Sequence, residues 1–211
     1  MKTEQLVASL VADRAGSARP LGRSVSRAVL AGALVSLVIF ALEFGPRVDL
    51  AAALATWRFD AKLVLVLAAL MAAAVACLAM ARPVTTARWR WAVLPVPLIA
   101  AAALGTELAV LPAGTWEARL VGSNALVCLT AIPLFALAPL MALLLAMRRT
   151  APASPALAGA ACGALAAAAA ALIYAFHCFD DSPLFVLTWY SLAAIPVVLL
   201  GAAVGHRLLR W

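Results

Sequence analysis

Apolar residues run through this chain in long unbroken blocks, separated by short segments that hold nearly all of its charge. The blocks do not alternate with polar positions as half-buried strands do, and they are far longer than a buried strand. Their length is that of a helix crossing the hydrocarbon core of a bilayer, about 20 residues. In lipid, a helix also satisfies its own backbone groups. The pattern therefore predicts an all-α integral membrane protein with six transmembrane helices, at about 27–44, 62–81, 91–111, 125–147, 156–176 and 184–205. The third span should bend near Pro95 and Pro97, and Asn124 is placed to cap the fourth.

Residues 1–23 form a polar tail ahead of this six-helix domain of residues 24–211. Thr3 can cap a short amphipathic helix with Leu6, Val7, Leu10 and Val11 on one face, ended by Ala15-Gly16-Ser17 and Pro20. Such a helix either rests on the membrane surface or docks a cytoplasmic partner. The tail is too long for the n-region of a secretory signal.

Composition agrees with the pattern. Hydrophobic residues make up 67% of the chain and charged residues 12%, against about half and a quarter in soluble domains. The net charge of +7 does not indicate nucleic acid, because the basic residues lie in short blocks between spans. That is how topology determinants are distributed. With the tail on the cytoplasmic side, 12 of the 16 basic residues fall inside, leaving only Arg47, Arg58, Lys62 and Arg119 outside. Both termini are then cytoplasmic. Trp57, Trp89, Trp91, Trp116 and Trp211 fall near the interfaces, as an aromatic belt. Gly159-x-x-x-Gly163 and Gly201-x-x-x-Gly205 should let helices five and six approach closely. With the run Ala166–Ala171, this predicts that the fifth helix is central.

Candidate chemistry concentrates between the last two spans, in His177-Cys178-Phe179-Asp180-Asp181-Ser182-Pro183. Asp180, Asp181, Ser182 and Pro183 read as a turn, with the polar residues capping the following helix and Pro183 at its start. The topology sorts the four cysteines by depth. Cys77 and Cys162 lie toward the inner side and read as packing residues. Cys128 and Cys178 lie at similar depth on the outer side, where disulfides are permitted. Together with His177 they offer ligands that suit copper or zinc. A disulfide, a reactive thiol and a transient metal site all remain open, and no resident cofactor is expected.

The start Met1-Lys2-Thr3-Glu4-Gln5-Leu6, the motif His177-Cys178-x-Asp180-Asp181-Ser182-Pro183-x-Phe185 with Trp189 and Tyr190, and the closing Gly205-x-Arg207-Leu208-Leu209 carry a resemblance. Over essentially the whole chain, the sequence resembles the NrsF-type family, negative regulators of the extracytoplasmic-function sigma factor sigma-F. The resemblance implies a bacterial inner-membrane anti-sigma factor that holds a sigma factor inactive and releases it under oxidant or heavy-metal stress. It further implies that two cysteines are needed for the response, here Cys178 by motif and Cys128 by position. The His-x3-Cys-x2-Cys pattern of zinc-binding anti-sigma factors is missing from the sequence. Among other classes, a thiol-disulfide oxidoreductase would show a Cys-x-x-Cys pair or a quinone-site arginine. A solute or metal transporter would carry polar groups at midplane. The sequence favours neither, and no enzyme activity is expected.

Overall fold

In the computed structural model, which describes residues 3–5, 21–84 and 87–210, the chain is helical with no strand among the described residues. Six helices are long and apolar enough to cross a membrane. We number them α1 (Leu21–Glu43), α2 (Trp57–Met80), α3 (Pro95–Val110), α4 (Ala125–Met147), α5 (Pro155–Ala175) and α6 (Ser191–Leu208). Residues 3–5 are helical, whereas Leu6, Val7, Leu10 and Val11 lie outside the described residues.

Several boundaries follow local chemistry. Helix α1 stops at Gly45, which adopts a left-handed φ of +69° that glycine tolerates best. Helix α2 begins five residues before the expected Lys62, because the Thr56 hydroxyl accepts a hydrogen bond from the Phe59 amide and so caps an earlier turn. The third span is broken where a bend was expected. A 3-10 segment, Ala87–Ala92, precedes α3, and Pro95 opens that helix at its first turn, where its missing N–H is no loss. Helix α4 has the expected bounds. The last span opens with Pro183–Phe185 and a π-helical segment, Val186–Tyr190, which runs into α6.

Helix α5 is the centre of the bundle. It makes its largest contacts with α6, α2 and α4, and every residue from Leu165 to Ala171 is buried. A Cβ on Gly163 would stand 2.6 Å from the Val197 carbonyl oxygen, and one on Gly205 would stand 2.6 Å from the Gly159 Cα. The two glycine motifs therefore face each other, and backbone packs directly on backbone. The outward face is apolar, with Leu30, Leu34, Met71, Leu98, Leu134 and Leu199 among its exposed residues.

Helix α4 is held by a different device. Pro139 lies inside it, so the Phe135 carbonyl loses its usual amide partner. The buried Ser36 hydroxyl of α1 donates to that carbonyl at 2.6 Å. Close approach of the two helices depends on Gly32, whose position would place a Cβ against Pro139.

The alternating course of the six helices brings the ends of α1, α3 and α5 to the same end of the bundle as the starts of α2, α4 and the last span. All of the dense polar structure lies there.

Candidate functional site

Cys178 sits just beyond α5 in a turn that every other span helps to hold. The Arg47 amide donates to the Phe176 carbonyl at 2.9 Å, joining the segment after α1 to the turn. From α2, the Lys62 ammonium donates to the Cys178 carbonyl at 2.9 Å and forms a short ion pair with Asp181. The Arg47 guanidinium meets the same two groups, at 3.1 Å from the Cys178 carbonyl and 2.8 Å from Asp181. It also bonds Asp49 and stacks over Phe179, with its Cζ 4.8 Å from the ring centroid.

From α3, Glu107 is fully buried and accepts from Arg58 at 2.8 Å and from the Ser182 hydroxyl at 2.8 Å. Asp180 reaches in the opposite direction, to the start of α4. Its Oδ2 accepts from the Ser123 amide at 3.0 Å and from the Asn124 amide at 2.8 Å. A carboxylate there complements the positive end of α4. Gly122, with φ +58°, makes room for it, since a Cβ would stand 2.8 Å from the Asp180 Cγ. Finally, the Trp189 indole in the π segment donates to the Leu120 carbonyl at 2.7 Å.

Asp180–Ser182 lie in the irregular connection that follows the turn at residues 176–177, and Pro183 opens the next helix, but their side chains do not serve that helix. Ser182 makes no capping bond there; its hydroxyl goes to Glu107. Asp180 instead caps α4, a task expected of Asn124, whose side chain makes no cap bond of its own and donates to Asp180 and Ser123. Asp181 is the counter-ion of two buried cations. Arg47, Lys62 and Glu107, all buried, and the half-buried Arg58 form the frame of this segment; in the sequence the three basic residues mark only sidedness.

Within that frame the Cys128 and Cys178 sulfurs lie 4.0 Å apart, both fully buried. The hydrogen bond shared with the Cys128 thiol, and then the charge of the Lys62 ammonium, hold the Cys178 thiol below its ordinary pKa despite its burial. In such a pair it is the thiolate, rather than the thiol, that is the nucleophile and metal ligand. His177 is turned elsewhere. Its Nδ1 lies 3.0 Å from the Gly45 carbonyl, which only accepts, so Nδ1 carries the proton. The ring packs edge-on to Phe44, 5.0 Å between centroids. Among the described residues, no three His, Cys, Asp or Glu side chains are grouped to hold a metal ion.

Two further features were missed from sequence. Cys77 and Cys162, read as separate packing residues, have their sulfurs 3.8 Å apart in the core between α2 and α5. Tyr174 and Tyr190, the only two tyrosines of the chain, are buried in the same core cluster as Cys128 and Cys178, with their rings 6.1 Å apart between centroids.

The family model described as negative regulator of sigma F matches residues 10–211. The chain belongs to that family. Two curated relatives align over the whole of both chains. One is a probable anti-sigma-F factor from Azospira oryzae, 29% identical over 222 residues, and the other an anti-sigma-F factor from Caulobacter vibrioides, 29% identical over 215 residues. No solved structure matches the chain. The family's role is regulatory rather than catalytic.

Proposed function

We propose that this protein is a membrane-embedded anti-sigma factor. It holds an extracytoplasmic-function sigma factor on the cytoplasmic face of a bacterial inner membrane and releases it when Cys128 and Cys178 react. The observation that carries the sensing half is the 4.0 Å approach of these two sulfurs at the polar end of the bundle. Family membership supports the regulatory half. The apolar outward face and the excess of basic residues on one side support six membrane crossings with both termini in the cytoplasm. The tail face of Leu6, Val7, Leu10 and Val11 is the sigma contact in this reading, with the basic residues near 82–90 and 148–149 at its rim.

The reaction is an oxidation of the dithiol. Both thiols give up a proton and an electron to a two-electron oxidant such as peroxide, an S–S bond forms, and peroxide leaves as two waters. The sulfurs must close from 4.0 Å to about 2.0 Å, which draws the Cys178 turn toward α4. That turn is bonded to α2 through Lys62 and to α3 through Ser182 and Glu107, so the strain is shared across the bundle. A signal acts only through differential affinity for two states, and here the bond itself exists in one state alone.

Heavy-metal response has a simpler donor set than the sequence suggested. Zinc prefers four ligands, which the described residues do not assemble. Two close sulfurs without His177 suit a soft cation such as copper(I), bound transiently as the signal.

The test is genetic and biochemical. Cys128→Ser and Cys178→Ser should each abolish induction by oxidant and metal while repression persists. A sigma factor should co-purify with the untreated protein and dissociate on oxidation. Intact induction in both variants rejects the sensing reading, and failure of any sigma factor to co-purify rejects the anti-sigma reading.

A further inference from the structure

Helix α3 is the span least committed to the bundle. Ala87–Val110, which contains it, is the least buried of the six spans, and within Pro95–Val110 only Ala103 and Glu107 are buried. Its main contacts are with α2 and with Pro183–Phe185. Helices in lipid gain no hydrophobic drive to associate, so close packing and polar bonds hold them together. For α3 the polar bonds dominate. The Glu107 carboxylate, near its end at the polar end of the bundle, accepts from Arg58 of α2 and from the Ser182 hydroxyl, each at 2.8 Å. At the other end, Val96 borders a cavity of about 250 Å³, which it shares with Ala69 and Ala73 of α2, Ala164 and Ala168 of α5 and Val198 of α6. One end of α3 is latched and the other stands beside open space.

We infer that α3 is the lever that carries the state of the cysteine pair to the opposite end of the bundle, with Glu107 as the positioning residue and the Ser182 hydroxyl as its point of attachment. The inference rests on the reading of Cys128 and Cys178 as the sensor pair. A carboxylate buried in a span is costly, and its ion pair with Arg58 would anchor α3 to α2 without help from Ser182. The serine hydroxyl is the part left to explain. It does not cap the helix it precedes, which is the ordinary use of a serine there. It joins α3 to the segment that carries Cys178.

The path is continuous. Formation of the Cys128–Cys178 bond draws the Cys178 segment toward α4, and Ser182 ends that segment. Displacing Ser182 pulls on Glu107, about 17 Å along the helix from Val96. The cavity beside Val96 lets that far end move without disturbing close-packed side chains, which transmit strain and resist displacement. Helix α5, buried from Leu165 to Ala171 and in backbone contact with α6, has no such freedom. Ahead of α3 the chain runs through the 3-10 segment Ala87–Ala92, where Arg88, Arg90 and Trp91 are exposed. A shift of α3 therefore re-presents two arginines at the end opposite the outer cysteines.

The test compares the full-length protein in lipid bilayers with its Ser182→Ala, Ser182→Thr and Ala164→Leu variants, each reduced and then oxidised with peroxide. Hydrogen exchange is followed in residues 87–92, disulfide formation by peptide mapping, and induction in cells. Oxidation of the unaltered protein should change exchange in residues 87–92 by about fivefold or more, the low end of ordinary coupling between sites. Ser182→Ala leaves the Arg58–Glu107 pair in place. It should still form the Cys128–Cys178 disulfide but lose both the change at 87–92 and induction, and Ser182→Thr, which keeps a hydroxyl, should recover both. Ala164→Leu fills the cavity and should block the change with the Ser182 bond intact. Unchanged exchange at 87–92 in the oxidised unaltered protein overturns the inference. So does a Ser182→Ala protein that responds as its parent does, or one that cannot form the disulfide, since that marks a packing role. This result is separable from the sensor reading: if Cys128→Ser and Cys178→Ser still respond, that reading fails whatever residues 87–92 do. If the cysteine variants block induction while oxidation leaves residues 87–92 unchanged, only the lever fails.

Discussion

The protein holds two pairs of touching thiols, and they differ in almost everything except distance. Cys77 and Cys162 are 3.8 Å apart and Cys128 and Cys178 are 4.0 Å apart, with all four residues buried. The inner pair lies in the apolar core: among the described residues, the only side-chain polar partner of Cys162 is Cys77 itself. The outer pair shares its cluster with two buried tyrosines, and the buried Lys62 bonds the Cys178 carbonyl and Asp181 beside it. Proximity of thiols is therefore not what makes a site here. What distinguishes the outer pair is a charged environment, and a segment from Cys178 to Ser182 that bonds to α2, to α3, to the start of α4 and to the stretch after α1.

Breaking that connection should have the largest effect. Asp181→Ala removes the shared counter-ion and leaves Lys62 buried beside Arg47 with no carboxylate between them. Losing one partner of a buried ion pair costs about 3–5 kcal/mol, so the thermal midpoint in detergent should fall steeply. Cys77→Ala at the inner pair removes one small side chain and should cost only about 1 kcal/mol. If the two variants melt alike, the polar frame is ornament and the comparison fails. The functional contrast runs the same way. Cys77→Ala and Cys162→Ala should keep induction, and peptide mapping after peroxide should find the Cys128–Cys178 disulfide before any Cys77–Cys162 bond.

How far this contrast was legible depends on which interactions are local. The six spans were readable because a membrane helix is a continuous run, and the bounds of α4 came out at both ends. The glycine motifs were readable because spacing alone places Gly159 with Gly163 and Gly201 with Gly205 on one face of each helix. The depth agreement of Cys128 and Cys178 was visible from topology, and the same argument applied to Cys77 and Cys162 would have paired them too. The buried charges were not legible as such. A lysine near the start of a span looks the same whether it marks sidedness or points inward, and only the Thr56 cap, which starts the helix at Trp57, five residues before Lys62, puts Lys62 inside it. The one available signal was excess: the expected topology puts Arg47, Arg58 and Lys62 on the outer side, where basic residues are disfavoured, together with Glu107 and Asp181. Ser36 and Pro139 are 103 positions apart in the sequence, and nothing local joins a serine to a carbonyl freed elsewhere.

That last pair tests the interior of the bundle away from both thiol sites. Ser36→Ala leaves the Phe135 carbonyl without a partner at a buried position. An unmade bond of this kind costs about 1–3 kcal/mol, so stability should fall moderately while peroxide still forms the Cys128–Cys178 disulfide. Loss of that disulfide would mean that the outer site senses packing anywhere in α4, and the contrast between the two ends would lose its meaning.

The smallest effect should come from acid. The Arg47 guanidinium, by hydrogen bond and charge, holds the Asp49 carboxyl below its usual value. A carboxyl whose folded pKa is depressed contributes its stability above the unfolded value, about pH 3.9, and loses it as pH falls through the lower folded value. The Arg47–Asp49 link should therefore persist through neutral and mildly acidic pH and loosen only below about pH 4. Asp49 is largely exposed, so the change should be local. Hydrogen exchange should quicken in residues 46–50 before any change reaches residues near Cys77 and Cys162. If both regions loosen together, acid is unfolding the bundle as a unit. If the 46–50 segment stays protected, Asp181 alone is sufficient to hold Arg47 against the Cys178 turn.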